Sequence, residues 1–220
     1  MSPFLLVSAA VLAVLGLALA LIVVNARLEK KRVEAMQRAA REMGLAFAPK
    51  GDDATFGLLS GFHLFSHGHA KKITSLMLGE VSDMEVRIFD YTYTTGSGKN
   101  SHTFRQTVIA FRSPKLALPA FSLRPENLFH KIGALFGYQD IDFETHPQFS
   151  KHYLLRGNDE EAIRSTFHDG VLEFFDENRG LCTEGSGPTL IFYRAAQQVE
   201  PEAIRSFMEE GFKVAGLFMK

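Results

Sequence analysis

The sequence predicts an α+β protein: an N-terminal transmembrane helix, then a mainly antiparallel β-sheet domain with strand–helix units and a C-terminal helix. Three observations carry this. Residues 4–24 read FLLVSAAVLAVLGLALALIVV, twenty-one positions without a charge. At about 1.5 Å per residue, such a helix spans the ~30 Å hydrocarbon core of a bilayer. Residues 84–94 and 103–112 are β-branched and aromatic runs flanking a Gly-Ser-Gly turn, the pattern of a hairpin. After Pro119 short extended runs alternate with apolar residues at helical spacing, and Pro201 opens a final helix.

The apolar run reads as an anchor rather than a cleaved signal. Met1-Ser2-Pro3 carries no basic residue, the run exceeds a usual signal core, and the charges follow it instead of preceding it. Arg27, Lys30, Lys31, Arg32, Arg38 and Arg41 all lie just beyond the span. Basic flanks stay in the cytoplasm, so the expected topology is N-terminus out and C-terminal domain in. Cys182 is the lone cysteine, which excludes an intrachain disulfide and fits a reducing compartment. Three parts follow: an anchor (1–24), a juxtamembrane helix (25–44) and an α+β domain (45–220) with a sub-boundary near 115–120.

The elements are expected in this order. The membrane helix continues through 27–43, where Val33, Met36, Ala40 and Met43 make one apolar face, with Gly44 as its stop. That face packs on its own domain, or forms a short seam between two copies, which leaves a homo-oligomer open. Residues 45–48, 62–66 and 73–81 read as strands. In 84–94, Val86 and Ile88 face one way and Phe89, Tyr91 and Tyr93 the other, so both sheet faces are covered. Residues 120–123 are extended, and Pro125 opens a helix with Leu128, Phe129, Ile132, Leu135 and Phe136 inward. Residues 149–155 read as extended. Asn158 with Glu161 caps a helix through Phe167, and Asp169 caps another with Gly180 past its end. Residues 181–184 and 189–193 pair around Gly185-Ser186-Gly187. In the last helix Ile204, Phe207, Met208 and Phe212 point inward, and Gly211 is a weak point.

Composition excludes some functions. Twenty-four basic and 25 acidic residues leave no broad basic field for nucleic acid. The local excess is juxtamembrane, six basic against three acidic residues over 25–43. It sets topology, and it could also attract anionic lipid. Twenty Phe and no Trp point to core filling rather than ligand contact.

The tempting motifs fail. Gly96-Ser97-Gly98-Lys99 lacks the upstream glycine and following hydroxyl of a phosphate loop, and it joins two strands. His63, His67 and His69 have no acidic or cysteine co-ligand nearby and read as exposed turn residues. Asp140, Asp142, Glu144 and His146 alternate with Ile141 and Phe143, which reads as apolar-in, acidic-out, and the spacing breaks the calcium-loop pattern. Cys182 lies on a predicted strand as a small hydrophobe, and Ser186 lacks a nucleophile elbow's glycines. Asp90 stands out, a carboxylate among Ile88, Phe89, Tyr91 and Tyr93, for which Arg87 and Arg105 are the candidate partners. No catalytic, metal or cofactor site is assigned.

The segments FDYTYTTGSGK (89–99), FSLRPE (121–126) and DIDFE (140–144) resemble a family of uncharacterised bacterial proteins that join an N-terminal hydrophobic helix to a domain like this one. The resemblance implies a bacterial inner-membrane setting and brings no activity or site residues. The expected function is a membrane-anchored cytoplasmic binding or scaffolding module, held in the bilayer through residues 4–24, with a protein partner. The alternative is a membrane-tethered enzyme, for example a hydrolase.

Overall fold

A computed structural model of the protein describes residues 3–126 and 140–219. Helix α1 (Pro3–Glu42) is unbroken. At 1.5 Å per residue it is about 60 Å long, enough to cross a hydrocarbon core and continue along a domain. From Leu12 to Val24 its large apolar side chains are exposed. Its last third is different: Met36 and Ala40 are fully buried against the domain. Gly44 then takes φ +71°, a left-handed stop that turns the chain into the first strand.

Among the described residues eight strands form one sheet, all neighbours antiparallel, in the order β1-β2-β3-β4-β8-β7-β5-β6. They are β1 (Ala46–Lys50), β2 (His69–Val81), β3 (Met84–Thr95), β4 (His102–Arg112), β5 (Leu118–Pro125), β6 (Tyr153–Gly157), β7 (Cys182–Gly187) and β8 (Thr189–Tyr193). The helices after α1 are α2 (Asp53–Leu59), α3 (His63–Ser66), α4 (Pro147–His152), α5 (Glu160–Thr166), α6 (Asp169–Glu177) and α7 (Ile204–Leu217). The α+β class and both expected hairpins, β3–β4 and β7–β8, are present.

The alternation in β3 divides the core as its parity requires. Val86 and Ile88 join a large cluster with Met36 and Ala40 of α1, Phe149 of α4, Ile163 of α5, Val171 and Phe175 of α6, and Ile204 and Phe207 of α7. Phe89, Tyr91 and Tyr93 join a second cluster with Leu59 of α2 and Leu64 and Phe65 of α3. One face of the sheet therefore carries α1 and the C-terminal helices; the other carries the two short helices. Gly211 is no weak point in this arrangement. It is buried in α7, and a Cβ there would meet the Phe111 ring at 3.0 Å, so the glycine lets helix and sheet approach closely.

Several local expectations are corrected. Residues 62–66 are not a strand but the helix α3, whose Ser66 N–H reaches the Phe62 carbonyl at 3.1 Å. Four residues are too few to show a period in sequence. Residues 149–155 are only half extended: Pro147 sits in the first turn of α4, and the strand starts at Tyr153. The α5 cap is Asp159, whose Oδ1 accepts from the Ala162 N–H at 3.0 Å, rather than Asn158. His168, not Asp169, holds the N-cap position of α6. Residues 140–143 form no strand, although Ile141 and Phe143 are buried as the alternation required. Pro125 does not open a helix but ends β5, opposite Tyr153, and the remainder of that expected helix falls largely outside the described residues.

Candidate functional site

Asp90 has a partner that local sequence did not suggest. It lies on the α1 face of β3, 2 % exposed, and α1 brings Arg32 onto it from 58 residues away. Arg32 Nε donates to Oδ2 and Nη2 to Oδ1, both at 2.8 Å, a bidentate fork. The Thr107 hydroxyl of β4 donates to Oδ1 at 2.8 Å and accepts from the Val199 N–H at 2.9 Å. Arg32 Nη2 also donates to the Val199 carbonyl at 2.9 Å. Burial works against the Arg32 charge, but the Asp90 carboxylate more than offsets this, so the Arg32 guanidinium's pKa is raised. The network ties α1, the centre of the sheet and the loop before α7 into one lock. The expected partners are elsewhere. Arg87 has the opposite parity and pairs with Glu85, and Arg105 is exposed.

A second polar cluster lies on the opposite face, where the short helices stop covering the sheet. Register places Ser122 of β5 between Glu184 of β7 and Arg156 of β6. Arg124 lies two residues on, so all four side chains share that face. With His63 of α3 they line a groove of 210 Å³. Glu184 is 1 % exposed. Its Oε1 accepts from the Tyr193 hydroxyl at 2.9 Å and, with Oε2, from the Leu64 N–H at 3.1 and 3.3 Å. This is why 62–66 turns helical: a carboxylate receives an amide of a first turn that has no partner within its own helix.

Electrostatics follow from burial. Desolvation pushes the Glu184 carboxyl up to about 7, against the opposing pull of Tyr193 and Arg124. Burial, with Arg124 and His67 nearby, pushes His63 down to about 3, so its ring is neutral. His63 is half-buried and its ring lies tilted against that of His67, centroids 4.0 Å apart, which corrects the reading of all three histidines as exposed turn residues. The buried atoms Arg124 Nε, Gln106 Nε2 and His63 Nε2 have no hydrogen-bond partner among the described residues, and their residues border one cavity of 10 Å³. The guanidinium groups of Arg124 and Arg156 and the Ser122 hydroxyl on the groove lining suit an anion with two acceptor oxygens in reach, such as a carboxylate or a phosphate.

The remaining sequence candidates are placed elsewhere. Cys182 is completely buried, and desolvation pushes its thiol up to about 12, far from a reactive thiolate. Ser186 is exposed at the β7–β8 turn. Among the described residues no group of three His, Cys, Asp or Glu side chains is arranged to hold a metal ion. Residues 96–101 are a β3–β4 turn with one 3₁₀ turn at Gly98–Asn100. Gly96 has φ +73°, and a Cβ there would lie 2.2 Å from the Asn100 carbonyl oxygen, so it serves the turn rather than a phosphate. Lys99→Ala is therefore expected to leave stability within about 0.5 kcal/mol of wild type in chemical denaturation. Nucleotide binding lost in that variant would overturn the turn reading.

No family model matches the chain, and no curated protein matches it. A solved structure does: the crystal structure of the mycobacterial trehalose monomycolate transport factor A, TtfA, with a TM-score of 0.59 and 14% identity, over 84% of this chain and 91% of that one. At that identity the likeness is one of fold.

Proposed function

We propose that the protein is a non-catalytic accessory module anchored in a bacterial inner membrane, where its domain binds a partner. The observation that supports this most directly is the Arg32–Asp90 lock. An exposed apolar helix runs without a break into a helix pinned to the centre of the sheet. A tether for a freely diffusing domain needs no such fixation; a platform presenting one surface at a set height does. Residues 1–24 are the anchor, 25–44 the rigid post and 45–220 the platform. The transport-factor fold neighbour fits an accessory role. The groove at Arg124 and Arg156 is the recognition site for an acidic group on the partner.

Glu184 favours the enzyme reading, because a carboxyl titrating near 7 suits acid–base work. Yet both of its oxygens are engaged by Leu64 and Oε1 also by Tyr193, and the two nucleophile candidates weighed from the sequence, Cys182 and Ser186, are a buried thiol and a turn residue.

Topology gives the test. A C-terminal reporter that works only in the cytoplasm should be active, and one that works only in the periplasm silent. The reverse pattern, or a mature N-terminus mapping to 18–27, sinks the anchored reading. Detergent capture of the full chain, compared with Arg124→Glu, then identifies partners that depend on the groove.

A further inference from the structure

The lock fixes more than height, because it also fixes which end of the sheet meets the membrane. Going down α1 from Arg32 to Glu42 the helix passes from Asp90 toward the Met84 end of β3: the Leu45 N–H bonds the Ala40 carbonyl, and the next residue, Ala46, stands opposite Leu78, itself opposite Arg87. Followed upward from Arg32, toward the apolar segment, α1 is exposed on all sides and heads in the direction of the β3–β4 turn. The register agrees. Lys50 of β1, Thr74 of β2, Asp90 and Thr107 form one row, and the rows above it hold Lys72, Thr92 and Arg105, then His69, Thr94 and Thr103, then Thr95 and His102.

The lengths match. Eight residues separate Arg32 from Val24, about 12 Å of helix. Five separate Asp90 from Thr95, about 17 Å of strand, and about 13 Å along the helix axis even at an inclination of 40°. The turn at Gly96–Ser101 thus stands level with the end of the apolar run, where a headgroup layer about 5–7 Å thick begins.

The chemistry of that end is one-sided. Lys72, Lys99, His102 and Arg105 are exposed. No Asp or Glu occurs from 91 to 107 or from 54 to 79. Arg27, Lys30 and Lys31 ring the helix at the same level, with Glu29 among them. Glu200 and Glu202 lie near Arg32. The far end of the sheet, by contrast, is mixed: Glu85 is paired with Arg87 and Arg112, Asp83 with Lys115, and Glu80 lies beside them. The tip is also held in shape: His69 Nε2 meets the Gly96 carbonyl oxygen at 3.1 Å, and the Thr94 and Thr103 hydroxyls meet across the strands at 3.0 Å.

We propose that the β3–β4 hairpin is a second membrane contact, its tip seated among anionic lipid headgroups through Lys99, Lys72 and Arg105, so that the domain is held to the bilayer at two points. This rests on the reading of α1 as a membrane anchor. Two contacts prevent rotation about α1, so the groove on the opposite face of the sheet takes a fixed direction relative to the membrane.

The test uses the full chain reconstituted in vesicles of phosphatidylcholine, alone or mixed equally with phosphatidylglycerol. Because Cys182 is buried, an environment-sensitive fluorophore can be placed selectively at Ser97→Cys or, at the far end, at Lys115→Cys. In the mixed vesicles a headgroup-attached spin label should quench the 97 probe several-fold more than the 115 probe. The difference should shrink in pure phosphatidylcholine, in high salt and in Lys72→Glu/Lys99→Glu/Arg105→Glu. Resistance to alkaline carbonate extraction reports the anchor separately. Equal quenching of the two probes in a protein that resists extraction overturns the hairpin contact and leaves the anchor standing. A protein released by carbonate overturns the anchor, and the hairpin contact with it. Quenching of the 97 probe that is identical in neutral vesicles overturns the assignment to anionic lipid.

Discussion

Asp90→Ala should destabilise the protein by about 3–5 kcal/mol, because it leaves the Arg32 guanidinium partly buried without its counter-charge. The lost groups are specific: two charge-assisted bonds from Arg32 and one from the Thr107 hydroxyl, all at 2.8 Å to a carboxylate 2 % exposed. Arg32→Ala should cost less on its own account, since that side chain is 21% exposed, but it strands the more deeply buried partner. Arg32→Lys should not rescue, because one ammonium cannot make the fork. Urea unfolding of the full chain in mild detergent measures the loss, and the double variant should fall well short of the sum of the singles. Amide exchange adds a readout that a general packing defect would not confine: in both variants protection should drop first along 27–42. An unchanged unfolding midpoint for Asp90→Ala would remove the lock, and with it the fixed platform.

What the sequence disclosed depended on the range of the interaction. The β3–β4 and β7–β8 hairpins were legible because turn chemistry and two-residue alternation are local, and the two faces of β3 followed from parity alone. The same parity could have excluded Arg87 as a partner for Asp90, since residues 87 and 90 point to opposite faces. In sequence Arg32 is one of a juxtamembrane basic cluster that sets topology or attracts anionic lipid. Nothing within a helical period of it signals that its side chain will enter the sheet, and only tertiary packing brings residues 58 apart together. Glu184 was hidden in a different way. Between Thr183 and Gly185 in a hairpin it reads as a solvent-facing strand residue, and its burial depends on α3 closing over it. α3 was itself misread as a strand, so one missed element concealed one site residue. Ser122, Arg124 and Arg156 lie on different strands, and no spacing in sequence announces their convergence.

Glu184→Gln should change how stability depends on pH more than it changes stability at any one pH. In the folded protein burial holds the carboxyl at about 7, against an ordinary value of 4.5. Between those values the folded state keeps a proton that the unfolded chain has released, so this group makes stability fall as pH rises from 4.5 through 7. A gap of that size corresponds to about 3 kcal/mol at ~1.4 kcal/mol per unit. His63 acts in the opposite sense. Its folded value near 3 lies below the ordinary 6.5, so the unfolded chain takes up the extra proton, and stability falls as pH drops from 6.5 through 3. The two slopes oppose each other between pH 4.5 and 6.5 and flatten the wild-type profile there. Gln retains an acceptor for the Leu64 N–H and the Tyr193 hydroxyl and cannot ionise, so the variant should lose the Glu184 slope and keep that of His63. Relative to wild type it should gain about 3 kcal/mol on going from pH 4.5 to pH 8, read as the difference between the two unfolding curves at each pH. Glu184→Ala lacks that acceptor and leaves two buried donors unpaired, at about 1–3 kcal/mol each, so it should be the less stable variant at acid pH, where wild-type Glu184 is protonated at no cost. A difference between Glu184→Gln and wild type that stays constant from pH 4.5 to 8 would mean that the carboxyl ionises normally in the fold, and that the second face of the sheet is wetter than its 1 % exposure implies.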